Sequence, residues 1–364
     1  MKKPILVLVL ICACLFSGCS SIFDGNYTSV TPHPMPNQSM VSLDKVTAKD
    51  RDELYAAVEK LVHNGLTGAT VNISGYNIDR LEQDFQWISE TMMVQDPIAA
   101  YAVQGIQFQQ GNRNGKPELT VTVSYLADRS PVRGIQYVNN IQTAAAVIRQ
   151  ALDRCDEGVV LYVHNFESTD FVKIVGDYAV TQPQKVMELP QVTVEVYPEQ
   201  GATRVVELRF SYQNSRDTLW AMQTEVEAMF EAALLYVSES AEPIQKFGQL
   251  GGFLMEHFDY HVATSITPTY SLLCEGVGDS KAFAVTYAAM CAQSGLECCV
   301  VKGEKAGEPY YWNIVGANGT YYHLDLMQDE FQLYIDSQMS DYIWDYEQYP
   351  ECNGLMSVDI ENNF

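Results

Sequence analysis

Residues 271–303 read SLLCEGVGDSKAFAVTYAAMCAQSGLECCVVKG, and the reading of the C-terminal third starts there. Gly276 and Gly278 precede Asp279 and Ser280, and a helix is expected to follow through Ala284, Tyr287, Met290 and Cys291 to Gly295. The apolar run Cys298 to Val301 then has the length and composition of a strand.

Upstream, Ala241 to Phe258 reads as a helix that ends in Asp259 and Tyr260, and a loop carries the chain to Tyr270. Downstream come YYWNIV (310–315), a turn at Asn318 and Gly319, and YYHLD (321–325). A buried helix with two or three following strands is half of a papain-like core.

This order resembles the bacterial transglutaminase-like family over about residues 241–352. In that family a glycine-flanked cysteine starts the helix, a His-Ala-Trp-Asn segment lies on the next strand but one, and a Trp/Tyr-Tyr-His-x-Asp segment supplies the third residue. The tail YIDSQMSDYIWDYEQYPECNG (334–354) is similar to the family's usual ending, with Trp344, Tyr349, Pro350 and Cys352 in place. Ser280 lies fifteen residues before Gly295, as the family's cysteine does before its glycine.

The resemblance implies a papain-type Cys-His-Asp triad, and only its last member is present. Ser280 stands at the nucleophile position, Tyr310 at the histidine position, and Asp325 matches. A thiol near neutral pH is partly ionised, and a helix N-terminus with a neighbouring imidazolium ionises it further. A serine hydroxyl needs a general base, and a phenol with a reference pKa of about 10 is a poor one. Losing one triad member typically costs about 10⁴ to 10⁶ in rate, so little turnover is expected.

Three residues or placements could in principle restore the chemistry. Cys274 lies six residues before Ser280, outside the helix start. His323 shares a strand face with Asp325, but active relatives carry it too, which implies a structural role. A slipped alignment that puts Gly278 at the nucleophile position still lacks a thiol. Tyr311, Trp312, Asn313 and His323 are expected beside the groove, with packing and a buried hydrogen bond the simpler reading for Trp312 and Asn313. His257 and His261 could share a helix face as metal ligands, yet no third ligand is evident. No metal and no cofactor is expected.

At the other end, Lys2 and Lys3 precede an apolar run from Pro4 to Phe16 that is too short to span a bilayer. Phe16, Ser17, Gly18 and Cys19 resemble the lipobox of bacterial lipoproteins, with Phe16 in place of the usual leucine. The expectation is a signal peptide over 1–18, a lipidated Cys19 opening a flexible tether over 19–40, and an extracytoplasmic location on the membrane. An ordinary secretory signal is the alternative. A net charge of −24 argues against nucleic acid or anionic lipid as partner. Of nine cysteines, Cys155, Cys274, Cys291, Cys298, Cys299 and Cys352 lie beyond Cys19. Disulfides are allowed outside the cell, and their connectivity stays open.

Between residues 49 and 213 the same order of elements recurs. Helices at Asp52–Asn64 and Ile141–Cys155 lead into strands at Gly68–Ile73 and Gly158–Val163, then into second helices at about Leu81–Met93 and Thr169–Val180. Strand pairs follow, Ala102–Gln109 with Glu118–Tyr125 and Val192–Tyr197 with Arg204–Tyr212, marked by alternation such as Leu119, Val121, Val123, Tyr125. An internal duplication of a small α+β unit is expected, over 41–135 and 136–238, ahead of a transglutaminase-like domain over 239–364. The duplicated part is either a binding module or plain scaffold. A helix from Thr218 to Ser238 closes it.

The whole chain is therefore expected to be α+β. Its leading functional reading is a membrane-anchored protein whose transglutaminase-like domain is catalytically inactive and binds peptide, protein or peptidoglycan. The rivals are an active peptidase or transamidase with rewired residues, and a structural surface spacer.

Overall fold

The computed structural model describes residues 46–127 and 132–354. The expected signal peptide and Cys19 lie outside the described residues.

The chain begins with helix α1 (Arg51–His63), strand β1 (Gly68–Asn72), helix α2 (Ile78–Gln95), a short helix α3 (Pro97–Ala102), and strands β2 (Val103–Arg113) and β3 (Lys116–Tyr125). Asp50 accepts the Glu53 N–H to start α1, and Leu54, Ala57, Val58, Leu61 and Val62 form its buried stripe. Gly65, at φ 62, donates its N–H to Val62 and turns the chain out of the helix. Asn114 and Gly115 both have positive φ and close the β2–β3 hairpin with the two-residue turn that suits twisted strands. The sequence placed the start of β2 at Ala102, but that residue ends α3. Asp96 caps the Ala99 N–H at 2.8 Å and Pro97 occupies the first turn, so a helix forms there first.

The next six elements are β4 (Gln136–Val138), α4 (Ile141–Asp153), β5 (Gly158–Val163), α5 (Phe171–Thr181), β6 (Gln191–Tyr197) and β7 (Arg204–Ser211). They repeat the first connectivity: the antiparallel orders β1-β3-β2 and β5-β7-β6 are the same. The correspondence extends to single residues. Asp50 and Asn140 cap the first helices, Gly65 and Cys155 leave them at positive φ, and the parallel pairings Thr47↔Asn72 and Tyr137↔Tyr162 flank the first strands, every pair 90 residues apart. Opposite Gly68 and Gly158 stand Thr122 and Arg209, 87 apart, so the second copy reaches its last strand by a path three residues shorter. Each copy has its own apolar core between its helices and one sheet face.

The remainder comprises α6 (Arg216–Leu234), α7 (Pro243–His257), β8 (Asp259–Tyr260), α8 (Pro268–Glu275), β9 (Val277–Gly278), α9 (Ser280–Gln293), β10 (Glu297–Lys305), β11 (Glu308–Ala317), β12 (Thr320–Leu324), β13 (Leu333–Tyr334) and β14 (Tyr342–Ile343). Helix α8 occupies ground that the sequence reading began as a loop. Its start is set by Pro268 and its end by Gly276 at φ 86, which lies six residues beyond Tyr270. Strands β10–β14 form one antiparallel sheet in the order β13-β12-β11-β10-β14.

Helix α9 is buried on every side, with Ser280 and all of Ala282 to Cys291 inside. It has no polar stripe because α7 and α8 cover it on one side and the sheet on the other. Ala282, Ala284, Ala288 and Ala289 keep that packing close, and the Tyr287 hydroxyl, inside the core, donates to the Phe247 carbonyl at 2.9 Å. A separate core of Trp312, Ile314, Trp344 and Cys352 covers the opposite sheet face. The architecture is α+β throughout, and among the described residues no helix is long and apolar enough to cross a membrane.

Candidate functional site

The α9 N-terminus is built by Asp279. One of its carboxylate oxygens accepts the Ala282 N–H at 2.8 Å and the other accepts the Thr264 hydroxyl at 2.9 Å. Ser280 follows as the first helical residue, and its hydroxyl accepts the Tyr311 N–H from β11 at 3.3 Å. One bond thus joins the nucleophile position to the strand that carries the histidine position. Among the described residues no hydrogen bond links the Ser280 and Tyr310 side chains.

Tyr310 and Asp325 do meet. The Tyr310 hydroxyl donates to both Asp325 oxygens, at 3.1 and 3.2 Å. The same carboxylate accepts the Tyr342 hydroxyl at 2.6 Å, Lys305 Nζ at 2.8 Å, Gln328 Nε2 at 2.8 Å and the Met327 N–H at 3.0 Å. Lys305 Nζ also lies 4.8 and 4.9 Å from the ring centres of Tyr310 and Tyr342. Burial pushes the Asp325 pKa up, but Lys305, Tyr342, Met327 and Gln328 outweigh it and hold the carboxyl below its ordinary value. Burial and the Asp325 charge push the Tyr310 phenol far above its ordinary value. Tyr310 is therefore a donor to Asp325 and no base for Ser280.

The site is also closed. Ser280, Tyr310 and Asp325 are 7%, 9% and 1% exposed. Of the four residues expected beside the groove, Trp312, Asn313 and His323 are buried, and only Tyr311 is half-buried. Asn313 Nδ2 donates to the Ala284 carbonyl at 2.9 Å and ties the sheet to α9. Trp312 Nε1 donates to His323 Nδ1 at 2.9 Å, so His323 carries its proton on Nε2, which faces Asp336 at 2.8 Å. Burial lowers the His323 pKa and Asp336 counters only in part. These three buried positions brace the sheet, and Tyr310, Lys305 and Tyr342 crowd the Asp325 carboxylate. His323 has both nitrogens engaged and offers no replacement base.

Cys274 fares no better as a nucleophile. Its thiol ends α8 ahead of Gly276, and desolvation with the carboxylates of Glu225 and Glu275 pushes its pKa up. His257 bonds to the Phe253 carbonyl and faces Tyr236, and His261 Nδ1 accepts the Ala263 N–H. Neither belongs to a potential metal-ligand trio. Two such trios exist among the described residues, His323–Asp336–Cys352 and Glu59–His63–Asp96. In the first, the Trp312 bond leaves the Nε2 of His323 protonated and unable to ligate.

Sequence reasoning missed Lys305, Tyr342 and Gln328. Tyr342 lay inside the quoted tail and Lys305 at the end of the strand after α9, but nothing local says that either reaches Asp325.

No protein-family model and no curated protein matches the chain. Among solved structures it is similar to a transglutaminase (11% identity, TM-score 0.26, 60% of this chain and 63% of that one). It is also similar to calcium-bound LapG of Legionella pneumophila (11%, 0.26, 39% and 86%) and to a putative cysteine protease of Cytophaga hutchinsonii (11%, 0.26, 42% and 70%). The chain thus spans 63% of the transglutaminase it matches. At that level of overlap, the transglutaminase-like character rests on the succession α9, β10, β11, β12, on the bond from Ser280 to the strand that carries Tyr310, and on the pairing of Tyr310 with Asp325.

Proposed function

We propose that the protein is a lipid-anchored, extracytoplasmic protein whose transglutaminase-like domain performs no acyl transfer and binds an extended peptide, such as a cell-wall stem peptide. The observation that supports the loss of chemistry is the saturated Asp325 carboxylate. A working triad uses that carboxylate to orient an imidazole. Here two phenols, an ammonium, an amide and a backbone N–H consume it, and the nucleophile position holds a hydroxyl that accepts a backbone N–H.

Because the Asp325 carboxylate is crowded, the ligand is assigned to the shoulders of the site. Two shallow clefts share Ser265 and Pro268 beside the α9 N-terminus. One of about 180 Å³ is lined by Met187, Ile266, Lys281 and Val285, the other of about 250 Å³ by His261, Glu275 and Asp279. Lys281 in the first cleft, where the carboxylate of Glu188 is taken up by the Gln213 and Asn214 N–H groups, suits a free carboxylate at one end of such a chain, and Glu275 and Asp279 in the second suit an amine along its length. The test is calorimetric titration with stem peptides alongside an assay for ammonia release and peptide cleavage. Binding that Lys281→Ala weakens, with no turnover, is the expected result. Turnover that Ser280→Ala abolishes would overturn the reading. Absence of any binding would leave the structural spacer, which the crowding of Asp325 favours.

A further inference from the structure

The six described cysteines all carry free thiols, and two of them, Cys298 and Cys299, are neighbours on β10. Successive strand residues point to opposite sheet faces. Cys298 stands opposite Val315 and packs into the core shared with α9, whereas Cys299 stands opposite Ile314 and packs into the core of Trp312 and Trp344. Cys291, in the last turn of α9, is fully buried in the first of these cores. The link between helix and strand is tight: the Leu296 N–H donates to the Cys291 carbonyl at 2.9 Å, which folds β10 back onto α9. Cys298 packs into the same core as Cys291, and the Cys291 thiol is close enough to act on the ionisation of Cys298.

We infer that Cys291 and Cys298 are a disulfide-forming pair that staples α9 to β10. In the reaction, a thiolate of the pair attacks the disulfide of an oxidant of the disulfide-exchange class and releases one of its sulfurs as a thiolate. The second cysteine then attacks the mixed disulfide and releases the other. The protein gives up two protons and two electrons, and the oxidant leaves as a reduced dithiol. Burial pushes the Cys298 thiol up, so exchange with small oxidants accelerates as pH rises. The bond would brace the two elements that carry Ser280 and Lys305 at their far ends. The proposed extracytoplasmic location is what would supply the oxidant in the cell, so the bond and the location are tested separately.

The purified full chain is incubated with oxidised glutathione at pH 8.5, denatured, alkylated without reduction, and cleaved after Glu297, which lies between the two cysteines. The expected result is a pair of fragments held together until reduced, a mass loss of about 2 Da, and a rise in Tm of about 5 °C. Cys299→Ser keeps the linked fragments and Cys298→Ala loses them. If both thiols of the wild-type chain are alkylated, or if Cys299 is the linked partner, the inference is wrong. Acid-trapped protein from the producing cell then reports the location: free thiols there, beside a bond that forms in vitro, uphold the pair and overturn the compartment.

Discussion

The Tyr310 hydroxyl sits 3.1 Å from Asp325 Oδ1, where the resemblance calls for an imidazole against a carboxylate. That bond places a hydrogen-bond donor where the resemblance expects a base, because a phenol pushed upward by burial and by the carboxylate's charge releases no proton at neutral pH.

Lys305 is the sole cation bonded to Asp325 among the described residues, and its side chain is 28% exposed against 1% for the carboxylate. Lys305→Met is expected to cost about 3 kcal/mol at pH 7, since it strands a buried charge. Lys305→Met with Asp325→Leu should recover part of that loss. Urea unfolding of the three chains decides it, and a single-variant loss under about 1 kcal/mol would refute the anchor.

Two groups set opposite pH dependences. Asp325 has a depressed folded pKa, so the native state binds fewer protons than the unfolded one, and its contribution is present above about pH 4 and lost as pH falls through the folded value. His63 bonds Asp96 at 2.7 Å; burial works against its charge, but Asp96 and Glu59 outweigh it and raise the pKa. Its contribution is present below about pH 6.5 and lost as pH rises through the raised value. His63→Ala should therefore destabilise more at pH 5.5 than at pH 8.5, as read by thermal melts. Equal losses at the two pH values would show that the pair is not coupled to protonation.

Restoring the missing triad members is expected to fail. Ser280→Cys with Tyr310→His puts a thiol and an imidazole in place, but Lys305 and Tyr342 still occupy Asp325, which then orients no imidazole. Ammonia release from glutamine peptides should stay at background. Clear turnover by the double variant would mean that Asp325 is free to serve.

Gly303 tests how β14 is held against β10. A Cβ there would stand 2.2 Å from the Ile343 carbonyl and 2.7 Å from the Trp312 ring. Gly303→Ala should push β14 off β10, take Tyr342 from Asp325, and destabilise by about 2 kcal/mol or more. Its cost and that of Tyr342→Phe should sum to more than the double variant loses. Strict additivity would separate β14 from the site.

Local features were legible in the order of residues. Alternation and turn chemistry placed β3 and β7, helical spacing and glycine punctuation placed α9, and the residue types at 280 and 310 removed the thiol and the imidazole. Helices α3 and α8 escaped, since each is short, opens on a proline, and lacks the length for a periodic signal. The crowding of Asp325 was not legible in the sequence. Lys305 and Tyr342 lie 20 and 17 residues from Asp325 in the chain and meet it because the antiparallel order β12-β11-β10-β14 folds their strands together. Contacts of that kind are set by strand register and burial, which no local pattern of residues encodes.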